Sequence, residues 1–478
     1  MINSNALRAL QNALGSEVTT DKSSLFKASF DTMKLSFMPE AVILPKSPAS
    51  IGTALKIANE FRMPITPRGA GSTLTGSATP LKGGWVLDLT NLNNITIDKF
   101  NKLAHVQAGA ITGDIQKAAI EHDLFYPPDP SSSSFCTIGG NIACNAGGLR
   151  GIKYGVTRDY VVALKGFLPN GEPVAWGRPL KKFTSGYNIR DLWIGSEGTL
   201  GVITEAVLKL IPKPQASRTF LAYFVDDQAA LLGAQALLQT GLIPSVLEFM
   251  DVLTVLGVEQ ATHIDDQPIF HHAILLIELD GHPAVIEDET TLLVHWAADC
   301  TTKFIQAATQ EEITALWHTR RACSAAMFQH GNSKLNEDVV VPLDQTVELI
   351  EFIQKISQEK NLKIPTFGHV GDGNFHVNIM YNREDKAACK HAEEALQSLM
   401  EFVIELGGAI TGEHGIGLAK TPFFKLQHTK AEINAMLAIK NALDPVGILN
   451  PGKIFSPFKT WDYTPISINM PWEKKKFL

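Results

Sequence analysis

Residues 67–80 read PRGAGSTLTGSATP, a run of small residues entered from the apolar stretch MPITP. Small side chains let consecutive backbone N–H groups approach an anion, so the run invites a phosphate-loop reading. Two familiar templates fail. A Walker loop needs Lys after the second glycine of G-x-x-x-x-G, and Gly76 is followed by Ser77. The Rossmann fingerprint needs a third glycine where Leu74 stands after Gly69 and Gly71. Taken alone, the run is as readily a flexible loop as a ligand cradle. Two further small-residue segments weaken the loop reading: PPDPSSSSFCTIGGNIACNAGGLRGIKYG at 127–155 and GSEGTLGVIT at 195–204. Three such loops, each beside strand-like runs, fit a large ligand with a diphosphate and a flat ring system better than a single phosphate.

Outward from these loops, short apolar runs (AVILP, GWVLDL, YVVALKGFL, TLGVITEAVLKLI) alternate with helical stretches such as SIGTALKIANEFR. This predicts mixed α/β structure up to the two prolines of IPKPQ, residues 211–215, which mark a domain boundary. Beyond it FLAYFV precedes DDQAALLGAQALLQTG, and AILLIEL precedes DGHPAVIEDETTLLVHWAADC. Two strand-helix units predict a ferredoxin-like antiparallel cap. The expected plan is an N-terminal helical segment (1–40), a ligand-binding domain (41–215), a cap (216–430) and a C-terminal helical segment and tail (431–478).

Composition narrows the function. With 478 residues, 45% apolar and 19% charged, the chain is long enough for several ordinary globular cores. A formal charge of −7 without a long Lys/Arg run excludes a nucleic-acid groove. The N-terminal stretch MINSNALRALQNALG reads as a short helix rather than a secretory signal, and the terminal WEKKKFL as a solvated end. Five cysteines without a CxxC pair predict free thiols in a reducing compartment.

The three glycine loops resemble the flavin-binding domain of the vanillyl-alcohol-oxidase-type flavoproteins. The chain from about 40 to 455 is similar to the branch holding D-lactate dehydrogenase, the glycolate oxidase catalytic subunit and D-2-hydroxyglutarate dehydrogenase. The resemblance implies an α+β, two-part FAD-binding domain with an antiparallel cap. It implies an FAD diphosphate on Arg68, Gly69, Ala70, Gly71, Ser72 and Thr73, with Gly76 closing the loop. Pro130, Thr137, Gly140, Asn145, Gly147 and Gly148 would line the second stretch, and Glu197, Gly201 and Ile203 the third. No histidine lies between Pro67 and Pro80, so the FAD is expected to be noncovalent.

A second set of residues sits in FGHVGDGNFHVNIM, residues 367–380. If Gly371, Asp372, Gly373 and Asn374 form a hairpin loop, Val370 faces Phe375 and His369 faces His376. Both imidazoles and Asn378 then share one face. Spacing alone leaves a metal pair and a decorated turn equally open. Downstream, GGAITGEHGIGLAK presents Glu413 and His414 between glycines. In the resembling branch the pattern H-x6-H with a later E-H binds a divalent metal, which implies His369, His376 and Glu413 as ligands. Zinc is the expected ion, with manganese or iron as alternatives. Two histidines and a carboxylate leave coordination sites open to substrate.

The same resemblance makes His414 the base that takes the hydroxyl proton and Arg320, in LWHTRRACSAAM, the substrate-carboxylate arginine, with Arg321 as the neighbouring candidate. Ser324 and Asn378 are further substrate contacts. Hydroxyglutarate enzymes of the branch carry a lysine six residues before a proline; here Asn336 precedes Pro342 by that spacing, with Lys334 nearby. Loss of the charge points to a small monocarboxylate such as D-lactate. The expected electron acceptor is not NAD but a quinone, a cytochrome, an electron-transferring flavoprotein or an iron-sulfur partner. The protein is expected to be a homodimer, cytoplasmic or peripheral at the inner face of a membrane. The competing readings are an alkylglycerone-phosphate-synthase-like flavoenzyme, a colourless metallohydrolase and a metal-stabilised binding module.

Overall fold

The computed structural model describes residues 4–262, 272–468 and 470, so the WEKKKFL end lies outside the described residues. The chain divides into two compact units, the first comprising 1–147, 156–213 and 413–478, the second 148–155 and 214–412.

The first unit contains two main sheets. β1 (Val18–Thr19), β2 (Ala41–Ile43), β3 (Ile65–Arg68) and β4 (Trp85–Asp88) form one in the order β1-β2-β4-β3. β2, β4 and β3 run parallel, and β1 joins β2 antiparallel. A parallel neighbour needs a crossover, and the helix Pro48–Phe61 supplies it between β2 and β3. Pro48 suits the first helical turn, and the buried Ile51, Ala54, Leu55 and Ala58 form the helix's apolar stripe. Arg62, left-handed at φ 53°, ends the helix and delivers the chain to β3 and the first glycine loop. The helix Ser4–Leu14 sinks Ala6 and Leu10 into the same core.

The second sheet is antiparallel: β5 (Ile95–Asp98), β6 (Leu103–Gln107), β8 (Val161–Phe167), β9 (Pro173–Gly177) and β10 (Val202–Lys209), in the order β5-β6-β10-β8-β9. β7 (Leu124–Phe125) and β11 (Ile211–Pro212) form a short separate pair. The two sheets are the two parts of the expected α+β flavin-binding architecture.

The second unit is built on a seven-stranded antiparallel sheet. Its strands are β12 (Ala216–Phe224), β13 (Val246–Met250), β14 (Ala273–Gly281), β15 (Lys303–Gln306), β16 (Ser333–Val340), β17 (Thr366–His369) and β18 (Asn374–Tyr381). They lie in the order β15-β12-β14-β13-β17-β18-β16. The first four, with helices Asp227–Gln239 and Pro283–Cys300, reproduce the ferredoxin-like strand order expected from the repeated strand-helix pattern. β16–β18 widen that sheet. β14 is buried along Ala273–Asp280, as befits a strand with neighbours on both sides and side chains covered on both faces.

The unit boundaries depart from the expected plan in three places. The cap ends at Gly412 rather than 430, because the following residues are held within the first unit: Leu418 N–H donates to Thr75 O (2.7 Å), and the Glu197 carboxylate accepts from Ile416 and Gly417. Residues 148–155 belong to the second unit instead of the first, where Lys153 and Tyr154 donate to Asp280. The C-terminal segment is no separate body. After the helix Lys430–Leu443 it returns beside β3, where Ile65 N–H donates to Ile448 O and Asn450 N–H to Ile65 O. Among the described residues no helix is long and apolar enough to cross a membrane, and all five cysteines are free thiols.

Candidate functional site

In the first unit the three glycine loops converge. Gly71 adopts φ +70°, and a Cβ there would meet the Arg68 guanidinium at 2.1 Å, so only glycine fits over that side chain. Arg68 is buried, with Nη1 donating to Ala78 O (3.3 Å), so its guanidinium braces the loop from beneath. Ser77 Oγ donates to Thr73 Oγ1 (3.0 Å), closing the loop on itself. Gly69 lies so near Thr137 that a Cβ would sit 2.0 Å from Oγ1, which brings the second loop against the first.

Glu197 links the third loop to the others. Its N–H donates to Ala143 O (2.8 Å), and its carboxylate accepts from Ile416 and Gly417 N–H, both 2.8 Å. Burial pushes its carboxyl up to about 7 against those two donors. The GEHG loop is thereby held in place: Thr75 Oγ1 donates to His414 O (3.2 Å), and a Cβ at Gly147 would lie 3.2 Å from Glu413 Oε2. His414 Nε2 is 3.5 Å from Glu413 Oε1, and both side chains are half-buried. Pro130, Gly201 and Ile203 are buried, and Gly140 is half-buried. Asn145 spends its side-chain oxygen on Arg158 N–H (2.9 Å), and Gly148 falls in the second unit.

In the second unit the hairpin of β17 and β18 exists, with a corrected register. His369 pairs with Asn374, and His376 pairs with Phe367, not with each other. The turn takes in Val370–Asp372 as a 3-10 segment and closes at Gly373, φ +78°, where a Cβ would strike Val341 O at 2.1 Å. The two-residue slip leaves both imidazoles on the same face. Their Nε2 atoms lie 3.4 Å apart, both side chains buried. One ion bonded to imidazole nitrogen at about 2.0–2.1 Å reaches both.

Glu248, on β13, is fully buried and bridges two of the candidates. Oε1 is 2.5 Å from His369 Nδ1, and Oε2 is 2.5 Å from both Nε and Nη2 of Arg320. Burial opposes its ionisation, but the charges of Arg320 and then His369, with their hydrogen bonds, hold the carboxyl below its ordinary range. Arg320 also stacks on Phe367, 4.8 Å from the ring centre. Arg321, by contrast, is exposed against Trp317, which separates the two candidate arginines.

Two expected substrate contacts look different. Asn378 is fully buried, and its Nδ2 donates to Pro365 O and His376 O while Oδ1 accepts from Asn336. Both amide donors are engaged inside the sheet, where Asn378 ties β18 to Pro365 and its neighbour strand. Ser324 Oγ accepts from Lys334 Nζ at 2.9 Å.

Residues 39–177 match the FAD binding domain family, and residues 213–454 match the C-terminal domain family of FAD linked oxidases. The glycolate oxidase subunit GlcD of Bacillus subtilis (strain 168) is 42% identical over 431 residues, spanning 90% of this chain and 92% of the relative. The chain belongs to the FAD-linked oxidase family. A D-lactate dehydrogenase of Anaerostipes hadrus is 34% identical to this FAD-linked oxidase, covering 87% of the chain and 89% of the relative. A solved structure of p-cresol methylhydroxylase with substrate bound shares its fold, with a TM-score of 0.79 over 95% of this chain and 96% of that one at 17% identity.

The residues of this FAD-linked oxidase also fit the cofactor. Asn450 is buried between the loops, its Nδ2 donating to Ser77 O and Glu197 O, both 2.8 Å, while its Oδ1 has no partner among the described residues. A ligand with an N–H donor, as a flavin ring carries, satisfies that acceptor. Asn450 went unremarked in the sequence, as did Asp31 and Lys453, which clip the far end of the first loop at Ala78 and Thr79. Burial raises the Asp31 carboxyl to about 6 and lowers the Lys453 ammonium to about 8. Asp338 was missed too: it accepts from Asn374 Nδ2 (2.6 Å), Thr411 Oγ1 (2.8 Å) and Gly412 N–H (2.9 Å), pinning the hairpin turn to the segment just before Glu413.

Proposed function

We propose that this protein is a dehydrogenase that oxidises a short D-2-hydroxyacid to the 2-keto acid, using noncovalent FAD and a divalent metal held by His369, His376 and Glu413. The observation that carries the reading is the buried pair of imidazole nitrogens, 3.4 Å apart, wired through Glu248 to the Arg320 guanidinium. It joins a Lewis-acid site to a carboxylate receptor, the two features a 2-hydroxyacid requires. Bound FAD supplies the hydride acceptor, and a bound ion, zinc by preference, lowers the pKa of the substrate hydroxyl.

The chain's own residues do the rest. Arg320 receives the substrate carboxylate and so fixes the direction in which the C2 hydrogen points. His414 takes the hydroxyl proton on its imidazole as the C2 hydride leaves. Ser324, whose Oγ already accepts from Lys334 Nζ, offers its hydroxyl to the substrate. Asn336 in place of a cation favours a monocarboxylate, and D-lactate is the substrate proposed first. Glycolate is the second, supported by the 42% identity to a glycolate oxidase subunit. That relative's description as a subunit supports electron transfer to a partner polypeptide. A cytochrome, an electron-transferring flavoprotein, an iron-sulfur protein or a quinone meets the chemistry. A homodimer acting in the cytoplasm or at the inner membrane face completes the proposal.

The test is anaerobic bleaching of the flavin by a panel of hydroxyacids. D-lactate is expected to reduce the flavin fastest, ahead of glycolate and D-2-hydroxyglutarate, with L-lactate slow. Failure of every hydroxyacid to bleach it would sink the proposal; faster reduction by glycolate would move the substrate and leave the chemistry.

A further inference from the structure

We propose that Glu248 is a positioning residue that locks the metal-facing nitrogen of His369 and the orientation of Arg320 together through one carboxylate. The inference rests on the metal reading above and extends it to a residue outside the ligand set.

Glu248 stands in VLEFM, a strand whose residues are all buried. β13 pairs with β17, Phe249 opposite Gly368, which sets Glu248 alongside His369. A fully buried carboxylate is costly, and apolar residues of similar volume in such a place are often neutral or stabilising for the fold. Its retention at the meeting of two functional side chains therefore calls for a functional account. Oε1 faces His369 Nδ1 at 2.5 Å, which assigns the proton to Nδ1 and leaves Nε2, the atom 3.4 Å from His376 Nε2, as the ligand atom. Oε2 faces Nε and Nη2 of Arg320 at 2.5 Å, fixing the guanidinium plane that Phe367 supports from its face. Neither side chain can turn without breaking its bond to the shared carboxylate. Metal affinity and substrate binding are thereby set by the same residue.

The test compares wild type with Glu248→Gln and Glu248→Asp, each FAD-loaded and stripped of metal by chelator dialysis, titrated with zinc by calorimetry and then assayed for KM and kcat. An amide cannot accept on both sides, so Glu248→Gln is expected to bind zinc about 10–100-fold more weakly. Its KM should rise while FAD content stays unchanged. Glu248→Asp, which keeps the charge, should recover part of both. Histidine-selective 15N NMR of metal-free wild type needs no variant, and there His369 is expected with its proton on Nδ1. Zinc affinity and KM unchanged in Glu248→Gln, or a neutral His369 ring with its proton on Nε2 and none on Nδ1, overturns this inference alone. Wild type that binds no zinc overturns the metal reading and this inference with it.

Discussion

The two units build their sites from different materials. The first uses backbone: Gly69, Gly71, Thr73 and Ser77 carry short side chains, and the charged groups near them, Arg68, Asp31, Lys453 and Glu197, are buried bracing the loops. The second offers side chains: His369, His376 and Glu248 project from strands and Arg320 from a helix, all of them buried. The contrast matches the two proposed tasks. A large, preformed ligand is held by many weak main-chain contacts, while chemistry at one carbon needs few, charged and closely placed groups.

Damage to the residues proposed for chemistry should stop turnover and spare flavin. His376→Ala is expected to lower kcat/KM by at least about 10³-fold, the several kcal/mol a metal contributes to transition-state charge, with FAD content intact. Loss of FAD from that variant would break the comparison. His414→Gln should lower kcat by roughly 10²–10⁴-fold, as for a lost general base, without changing zinc content. A wild-type pH-rate profile in this variant would move the proton to another group.

Damage to the glycine loops should do the reverse. Gly71→Ala forces a side chain into the left-handed region, costing about 1–2 kcal/mol, and drives its Cβ onto Arg68. The outcome expected is at least a tenfold rise in the FAD dissociation constant, measured by fluorescence quenching, with kcat of the loaded enzyme little changed. A smaller, pH-dependent effect comes from Glu197. Its carboxyl, raised from 4.5 to about 7 by burial, takes up a proton on folding. Its stabilising contribution is therefore full below about pH 4.5 and lost as pH rises through about 7. Relative to Glu197→Gln, wild type should lose stability on the order of 1.4 kcal/mol per pH unit at most across that window, then level off. Melting curves in which wild type gains stability relative to Glu197→Gln as pH rises would contradict the assignment.

The two regions also differed in how much of them could be read from sequence. Backbone recognition leaves a trace, because it demands runs such as PRGAGSTLTG whose smallness has little other use. The hairpin was legible as two strands, but its register slipped by two because Val370 joins the turn and Gly373, not the GDGN tetrad as a unit, closes it. Asn378 shared the face with His376, and sharing a face did not reveal that Pro365 and Asn336 had claimed its amide. Glu248 in VLEFM and Asp338 in NEDVV were invisible, since a lone acid in a strand shows its partners only after the strands are ordered. Asp31 and Asn450 act on loops far away in sequence, from segments that read as an ordinary terminal helix region and a proline-glycine turn.

The central claim is that turnover needs both halves, flavin on the backbone loops and metal at the histidine pair. The most direct measurement is anaerobic reduction of the enzyme-bound flavin by D-lactate before and after chelation. The account predicts rapid bleaching, its loss on chelation with FAD still bound, and its return when zinc is added. Bleaching at an unchanged rate in the chelated protein would contradict it.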